Sequence, residues 1–314
     1  MKRKYSSEID PHMDGKTVII AGWIHDIRDL GKLRFILLRD RDGIIQITLP
    51  KKDVSDEVFT KSKELGKEWV VKVEGIVKEE GKAPNGYEIL PTQIEILNPS
   101  QSPLPLDPTG KVDADLDTRL DNRVLDLRRA ENFAIFKIRS EVLASSREFF
   151  LENDFVEINT PKLVASATEG GTELFPISYF EREAFLGQSP QLYKQMMMAS
   201  GLDRVFEIAQ IFRAEEHNTR KHLNEAVSID VEAAFCNEED VMEILENLIH
   251  FIYSNILQKC GKELASLNQE LEVPDMPFER ITYSDAIDAL QARDIGIRWG
   301  EDFPTIAEKK LGEL

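Results

Sequence analysis

Short apolar runs recur at strand length over the first hundred residues. They read VIIAGWI from Val18, LRFILL from Leu33, IIQITL from Ile44, WVVKVEGIV from Trp69 and IEIL from Ile94. RDRDG between the second and third runs contains an Asp-Gly pair typical of a hairpin turn. The polar stretch after the third run predicts a short helix. Five strands with a helix in this position predict an all-β OB-type barrel over residues 1–97.

The pattern then changes from strand spacing to helix spacing. Four prolines between residues 98 and 110 oppose regular structure, so residues 98–117 are predicted to form a stiff linker. Beyond it, apolar residues recur at helical intervals in two long segments, at Ile135, Ile138, Val142 and Phe149 and again from Val241 to Ile256. Strand candidates lie around FVEI, ELFPI, RVFEIA and AVSIDVE. Residues 118–314 are therefore predicted to form an α+β domain, with an antiparallel sheet flanked by helices.

Charge divides the chain in the same place. The net charge is −18, yet residues 1–100 carry 17 basic and 17 acidic side chains, and the remaining residues carry 22 against 40. This excess of acid argues against indiscriminate nucleic-acid binding. The two cysteines, Cys236 and Cys260, form neither a disulfide framework nor a zinc motif. With no signal peptide and no apolar run of membrane-spanning length, the sequence predicts a soluble cytoplasmic protein.

Two strands of the predicted barrel carry side chains that suit single-stranded nucleic acid. Phe35 could stack on a base, and Gln46 on the adjoining strand could pair with a base edge while nearby arginines, Arg28 among them, hold phosphates. The alternative is that Phe35 belongs to the core and the arginines form a solvated rim. These residues alone favour the alternative, because OB barrels also bind sugars and proteins.

Five segments of the second domain carry a family resemblance. They are TRLDNRVLDLRR (118–129), EINTPKL (157–163), ATEGGTELF (167–175), GQSPQLYKQ (187–195) and FRAEEHNTRKHLNE (212–225). In this order and spacing they resemble the aspartyl-tRNA synthetases, most closely the archaeal type. EINTPKL is similar to motif 1 of class II synthetases, which implies a homodimer with Pro161 at its interface. The last segment is similar to motif 2.

The resemblance implies a reaction in which the carboxylate of L-aspartate attacks the α-phosphate of ATP, with Mg²⁺ as cofactor. Catalysis is then mainly positioning and charge stabilisation. Arg213 is implied as the catalytic residue, in contact with both ATP and aspartate. The resemblance implies an ATP-binding set made of Arg213, Ala214, Glu215, Lys221, His222 and Leu223. The family usually has Arg where Lys221 stands, so Arg220 and Lys221 could share the phosphate role.

The segment GQSPQLYKQ is predicted to form the amino-acid pocket. The side-chain carboxylate of aspartate must be paired once it is buried, and Lys194 supplies a cation. Because an asparagine amide cannot balance that charge, the sequence favours aspartate over asparagine. The implied aspartate-binding residues are Glu169, Ser189, Gln191, Lys194, Arg213 and Asp230.

The resemblance also gives the barrel a role in binding tRNA(Asp). Phe35 and Gln46 match positions that contact the middle anticodon base, Arg28 lies beside them, and Glu88 matches a contact to the third base. Some archaeal relatives also charge asparagine tRNA; these have Trp at the position of His25 and lack the proline at Pro84. His25 and Pro84 therefore predict the type that discriminates between the two tRNAs.

Motif 3, with its Arg for the γ-phosphate, and the magnesium-binding Glu before it have no counterpart in the 314 residues. The expected metal ligands would lie beyond Leu314, and we expect the chain to be inactive alone. Three interpretations stay open at this point. The chain is an incomplete aspartate–tRNA ligase, a non-catalytic tRNA-binding fragment that keeps anticodon recognition, or a paralogue that makes an aminoacyl-adenylate for another purpose. Phe35 and Gln46 disfavour the third.

Overall fold

The computed structural model describes residues 2–166, 174–214 and 223–313. The chain divides into two compact units, Met1–Arg129 and Ala130–Leu314. The predicted domain boundaries at residues 97 and 117 stay predictions, since the first compact unit includes the whole stretch between them and continues to Arg129.

The first unit is built on a closed five-stranded barrel. Its strands are β1 (Thr17–Asp29), β2 (Leu33–Arg39), β3 (Ile44–Pro50), β4 (Val70–Glu79) and β5 (Tyr87–Asn98), in the order β1-β2-β3-β5-β4 around the barrel. Helix α1 (Asp56–Ser62) lies between β3 and β4 and begins at Ser55, whose side chain accepts a hydrogen bond from the Val58 N–H. This is the predicted OB-type barrel, with its helix in the predicted position.

Successive residues of the barrel strands point alternately into the core and toward the outside. On β2, Ile36 and Leu38 point inward and are fully buried, whereas Phe35 between Arg34 and Ile36 points outward and is half-buried. Gly22 lies where β1 approaches β2, and a Cβ there would collide with the carbonyl oxygen of Arg39. The same alternation that fills the core therefore leaves one outer face of β2 and β3 for binding.

Two buried carboxylates of the first unit, Asp126 and Glu68, each form ion pairs with more than one arginine. Helices α2 (Leu116–Asp121) and α3 (Arg123–Asp126) follow the barrel, and Asp126 is fully buried between Arg119 and Arg123. Glu68 is also fully buried, with Arg39 bonded to both of its oxygens and Arg128 2.6 Å from one of them. Glu68 adopts a φ of 63°, a left-handed conformation that costs a non-glycine residue roughly 1 kcal/mol or more.

The second unit contains helices and two small sheets. Its elements are α4 (Ala130–Glu152), β6 (Val156–Glu157), β7 (Leu163–Val164), β8 (Pro176–Tyr179), β9 (Arg182–Leu186), α5 (Gln191–Ser200), β10 (Arg204–Phe212), β11 (Glu225–Ala233), α6 (Glu238–Lys259), α7 (Gly261–Ser266), α8 (Tyr283–Gln291) and α9 (Thr305–Leu311). Strands β10 and β11 pair antiparallel, with β6 parallel to β10 at the edge. Strands β7, β9 and β8 form the other sheet.

One face of the β10–β11 sheet packs on helices. Phe206 of β10 stacks on Phe150 of α4, with ring centres 4.8 Å apart, and both belong to a buried cluster with Leu248 of α6. The predicted helical stripes face this cluster only in part: Phe149 of α4 and Ile244, Leu248 and Ile252 of α6 belong to it or pack against it. Ile135, Val241 and Leu245, which the same stripes include, are exposed. The α+β class of the second domain is thereby confirmed, and the opposite face of the sheet is left for polar side chains.

A smaller cluster closes the second unit at its C-terminal end. Leu290 of α8, Ile297 and Ala307 of α9 are buried together. Among the described residues, no helix has the length and apolar character that crossing a membrane requires.

The ion pairs of Glu68 predict that this residue contributes strongly to the free energy of unfolding. Replacing Glu68 by Gln should lower the free energy of unfolding of the first unit by about 3 kcal/mol, because Arg39 and Arg128 would lose their shared buried counter-charge. Chemical denaturation followed by circular dichroism measures the change. Lys72→Gln is the control, since its pair with Glu95 is half exposed and is worth less than about 1 kcal/mol. Equal effects of the two variants would contradict the prediction.

Candidate functional site

An open groove runs along the outer face of the barrel. It has a volume of about 630 Å³, and its lining includes Phe35 and Leu37 of β2, Arg28 of β1 and Gln46 of β3. Arg28 lies directly opposite Phe35 in the β1–β2 register. Because Phe35 is outside the barrel core, its half-buried ring is available in the groove for a planar ligand.

A chain of hydrogen bonds crosses the floor of this groove. Gln46 Nε2 lies 3.3 Å from Thr48 Oγ1 and 3.3 Å from Glu88 Oε2, and Thr48 Oγ1 donates to the same Glu88 oxygen at 2.5 Å. Lys78 Nζ donates to the other oxygen at 3.1 Å. This hydrogen bond and the charge of Glu88 raise the pKa of Lys78. Glu88 is buried, so these three partners replace the water that its carboxylate would otherwise bind.

His25 lies at an irregularity of β1 next to the groove. The β1–β2 register shifts between Ile24 and Asp26, so His25 is the extra residue of a bulge. Arg39 Nη1 lies 3.0 Å from His25 Nδ1, and since a guanidinium can only donate, Nδ1 accepts and Nε2 carries the proton. Burial, and then the charge of Arg39, lower the pKa of His25. The imidazole is therefore a neutral donor at pH 7.

The groove can hold a nucleotide base and its phosphates. It offers an aromatic face in Phe35, an amide in Gln46 and exposed cations in Arg28, Lys52 and Lys82. Stacking on an aromatic ring is worth roughly 1–3 kcal/mol per base. The acidic side chains of the same groove keep its total charge low, which favours selective over indiscriminate binding.

The second candidate site lies on the polar face of β10 and β11. Glu207 pairs with Asp230 in the strand register, and Val205 pairs with Glu232, so these side chains share one face. Residues one position along, such as Phe206 and Val231, point into the helical core. The acids of β11 therefore form the floor of a site, because strand alternation turns them away from the core.

Lys194 projects from α5 onto this floor. Its Nζ lies 2.5 Å from Asp230 Oδ1 and 3.3 Å from both Glu232 Oε2 and the Val231 carbonyl. Burial alone would lower the pKa of Lys194, but the hydrogen bonds and charges of Asp230 and Glu232 outweigh it, so the pKa is raised. Gln191 is three residues earlier on the same helix face. Its backbone N–H donates a hydrogen bond to Ser189 Oγ.

A second cation balances the third acid of the floor. Glu207 is buried and accepts from the Thr160 N–H at 2.8 Å, the Thr160 hydroxyl at 2.8 Å and Lys162 Nζ at 2.9 Å. Three hydrogen bonds to one carboxylate hold the segment around Pro161 against the sheet. Pro161 itself is exposed.

Arg213 directly follows β10, and its N–H donates to the Asn224 carbonyl across the hairpin at 3.0 Å. Arg213 and Leu223 are exposed, and Ala214 is half-buried. Of the other predicted ATP ligands, Glu215, Lys221 and His222 lie outside the described residues, as does Arg220. Within residues 2–166, 174–214 and 223–313, no group of three His, Cys, Asp or Glu side chains is placed to hold a metal ion.

The two sites lie in segments that match two known families. Residues 115–312 match the model of the class II tRNA synthetases (D, K and N), and residues 18–97 match the OB-fold nucleic acid binding domain. The chain belongs to the class II tRNA synthetases. Its floor of acids and lysines is thus part of a synthetase catalytic domain, and its groove is part of a nucleic-acid-binding barrel.

Similar proteins and structures agree with this family. The chain is 58% identical to the aspartate–tRNA(Asp/Asn) ligase of Methanopyrus kandleri and covers 73% of it. It is 60% identical to the corresponding ligase of Methanocaldococcus jannaschii and covers 70% of that protein. These matches cover 100% and 98% of the present chain. The chain thus spans a little under three-quarters of the length of these relatives.

Solved synthetase structures have the same fold. The crystal structure of asparaginyl-tRNA synthetase from Pyrococcus horikoshii with asparaginyl-adenylate has a TM-score of 0.90 and 34% identity, covering 100% of this chain and 72% of that one. Aspartyl-tRNA synthetase from Entamoeba histolytica has a TM-score of 0.84 and 32% identity, covering 100% and 68%. The fold is therefore common to aspartyl and asparaginyl enzymes, and the choice between them depends on individual side chains.

The synthetase structure brings many of the predicted side chains together. Lys194 contacts Asp230, and Ser189 and Gln191 lie at the start of the same helix. Glu169 lies outside the described residues. In the barrel, Arg28, Phe35, Gln46, Glu88 and Pro84 all line the groove, whereas His25 is beside it. The roles assigned to these residues stay predictions.

Several polar residues of these sites escaped the sequence reasoning. Glu232 and Glu207 complete the floor with Lys162, and Thr48 and Lys78 complete the hydrogen-bond network at Glu88. All of them except Lys78, which is ten residues before Glu88 on the neighbouring strand, pair with a residue that is distant in sequence. The one available signal was strand alternation, which puts Glu232 on the face of Asp230, two residues away.

The ion pairs of Lys194 with Asp230 and Glu232 lead to a prediction that can be tested without substrate. Lys194→Met should lower the free energy of unfolding by about 2–4 kcal/mol, because Asp230 and Glu232 would lose their shared cation in a largely buried place. Adding Asp230→Asn should recover part of the loss, and urea denaturation measures both. Lys259→Met, in an exposed pair with Glu141, is the control and should cost less than about 1 kcal/mol. No recovery in the double variant would argue against direct coupling.

Proposed function

We propose that this synthetase is an aspartate–tRNA ligase, which uses ATP and Mg²⁺ to activate L-aspartate and then transfers it to tRNA(Asp). The observation that carries the proposal is Lys194, a largely buried cation on the floor of the catalytic sheet. The names of the Methanopyrus and Methanocaldococcus ligases support the same amino acid.

Lys194 supports aspartate over asparagine through charge. Its short contact to Asp230 positions the ammonium, and the two contacts at 3.3 Å, to Glu232 and the Val231 carbonyl, are weak enough to exchange for a substrate oxygen. A carboxylate entering the site would gain a charge-assisted hydrogen bond. The neutral amide of asparagine gains less and leaves the lysine with its original partners.

Arg213 is proposed to bind the α-phosphate of ATP and the α-carboxylate of aspartate. A carboxylate oxygen attacks the α-phosphorus, a new O–P bond forms, and the bond to pyrophosphate breaks with the electron pair going to pyrophosphate. The planar guanidinium of Arg213 suits two phosphate or carboxylate oxygens at once. Glu169 is also proposed to bind aspartate. Glu215, Lys221 and His222 are proposed to bind ATP.

The barrel groove is proposed to take the anticodon of tRNA(Asp). The half-buried Phe35 ring supports stacking of the middle base, the Gln46 amide supports pairing with its edge, and Arg28 opposite Phe35 supports a phosphate contact. A homodimer with Pro161 at its interface belongs to the same proposal, and the exposure of Pro161 is compatible with it.

Preference between tRNA(Asp) and tRNA(Asn) is a separate part of the proposal. The relatives' names cover both tRNAs, whereas His25 and Pro84 of this chain favour the discriminating type. The two anticodons differ in the third base, cytosine or uracil. His25 as a neutral Nε2–H donor suits the N3 acceptor of cytosine and opposes the N3–H donor of uracil. We therefore propose preference for tRNA(Asp).

Amino-acid choice can be tested with stable mimics of the adenylate. The chain should bind aspartyl-sulfamoyl-adenosine at least about tenfold more tightly than the asparaginyl analogue, a difference of roughly 1.4 kcal/mol. Lys194→Met should remove the preference, because only the aspartyl side chain loses a counter-charge. Isothermal titration calorimetry measures both, with Lys259→Met as the control. Equal binding of the two analogues by the native chain would reject aspartate as the substrate.

Third-base preference can be tested with two anticodon stem-loops, GUC and GUU. The native chain should bind the GUC loop more tightly by about fivefold or more, which corresponds to roughly 1 kcal/mol. The double variant His25→Trp, Pro84→Ala should narrow the difference. Fluorescence anisotropy at one fixed salt concentration measures the dissociation constants. If the native chain binds both loops equally, the chain is of the type that accepts both tRNAs.

A further inference from the structure

The N-terminal segment continues the barrel surface at the point where β2 ends. Pairing between β1 and β2 runs as far as Trp23 and Arg39. Beyond that pair, Arg3 forms a parallel bridge with Ile19 of β1, and the Lys4 N–H donates to the Ile19 carbonyl at 2.8 Å. Because β4 occupies the other edge of β1, the N-terminal segment lies on the edge that β2 leaves open.

A buried carboxylate attaches this segment to the turn between β2 and β3. Asp40 is buried and accepts from the N–H and the hydroxyl of Ser6, at 2.6 Å and 2.7 Å. The same carboxylate accepts from the N–H groups of Asp42 and Gly43 in the turn, at 2.8 Å and 3.0 Å. One side chain therefore fixes the N-terminal segment relative to the turn that carries Arg41.

Two arginines, one from the segment and one from the turn, pack on the ring of Tyr5. The guanidinium carbon of Arg41 lies 4.0 Å from the ring centre, and that of Arg3 lies 4.4 Å from it. Arg3 Nη2 also donates to the Ala21 carbonyl at 2.6 Å. A guanidinium that is already stacked on a ring loses little further freedom when it binds an anion. The fold thus holds two like charges close together in spite of their repulsion.

Most N–H groups of this arginine pair are open to a ligand. A guanidinium has five N–H donors, and the exposed Arg3 uses one of them on a backbone carbonyl. Within the described part of the chain, the one acid that contacts Arg41 is Asp42, 3.4 Å from its Nε. Glu8, another acid of the segment, accepts from the Tyr5 N–H at 2.7 Å. The pair therefore presents positive charge and free donors to an anion.

The chemistry of the pair suits a phosphate group. A planar guanidinium donates two N–H groups to phosphate oxygens at once, and two guanidiniums near one point attract an anion more strongly than either alone. Arg41 is six residues beyond Phe35 along β2 and its turn, roughly 15–20 Å away. That distance exceeds the length of one nucleotide, so a ligand that reaches both places is a longer piece of nucleic acid.

We infer that Arg3 and Arg41, stacked on Tyr5, bind a backbone phosphate in the stem of the RNA whose loop enters the groove. The inference rests on the proposed anticodon role of the groove. The contact carries no base information, because the phosphate is the same at every nucleotide. It adds affinity and orients the RNA on the barrel, in a chain whose excess of acid otherwise repels RNA.

The test measures binding of the GUC stem-loop by the full chain at several salt concentrations. The double variant Arg3→Gln, Arg41→Gln should bind about fivefold or more weakly near 0.1 M salt, and the slope of log K against log salt should become shallower by about one. The ratio of affinities for GUC and GUU should not change. Lys63→Gln, Lys72→Gln is the control, because it removes two other exposed cations of the barrel, one of which also lies over an aromatic ring.

A second RNA tests whether the phosphate belongs to the stem. Its stem phosphates are replaced by uncharged methylphosphonates, so the native chain should bind it more weakly than the ordinary stem-loop. The double variant should lose less affinity from this replacement than the native chain does, because its contact is already gone. Equal losses would place Arg3 and Arg41 away from the stem and overturn the inference.

The remaining outcomes separate this inference from the proposed function. A double variant that loses no more affinity than the control pair would overturn the inference. If the double variant does not fold by circular dichroism, Arg41→Gln alone decides, because it leaves the hydrogen bond of Arg3 to Ala21 in place. A shallower salt slope then supports the inference, and an unchanged slope overturns it. Native protein that binds the GUC loop no better than an unrelated hairpin would overturn the proposed function itself.

Discussion

The structure depends on pairing carboxylates that the fold buries. The chain carries far more acid than base, yet Glu68, Glu88, Asp126 and Glu207 are among its most buried side chains. Each has at least one Arg or Lys within 3.1 Å. An unpaired carboxylate in these places would cost several kcal/mol, so removing a basic partner would be felt as a loss of stability. Some of the basic residues are thus placed where the burial of a carboxylate makes them necessary.

The same constraint shapes the catalytic floor. Strand alternation gives β10 and β11 one apolar face for α4 and α6 and one face for Glu207, Asp230 and Glu232. Two lysines then balance three acids, each from a different segment of the second unit. Lys162 is held by its acid together with Thr160, whereas Lys194 has two contacts at 3.3 Å that can exchange. One lysine therefore holds a loop in place and the other suits a substrate carboxylate.

Periodicity in the sequence could predict the barrel and the long helices because it reports burial directly. Phe35 shows both the strength and the limit of this signal. Alternation put it on the face opposite Ile36, but its position in a groove depends on Arg28 and Gln46 from other strands. Polar partners from distant segments were beyond reach for the same reason: nothing near Glu88 indicates Thr48, and nothing near Glu207 indicates Lys162. Family resemblance supplied roles for Lys194 and Asp230, and the structure added their contact.

Burial also fixes the order in which a polar side chain presents its donor and its acceptor. An exposed Gln presents donor and acceptor in either order, because water satisfies whichever end is left over. Once one end meets a buried carboxylate, the order becomes a property of the fold, and the cost of reversing it is the cost of an unsatisfied acceptor. His25 follows the same rule, since the guanidinium of Arg39 leaves its ring only one tautomer. Arg39 is in turn held by Glu68, so the buried carboxylates that stabilise the barrel also decide which groups it presents to a ligand.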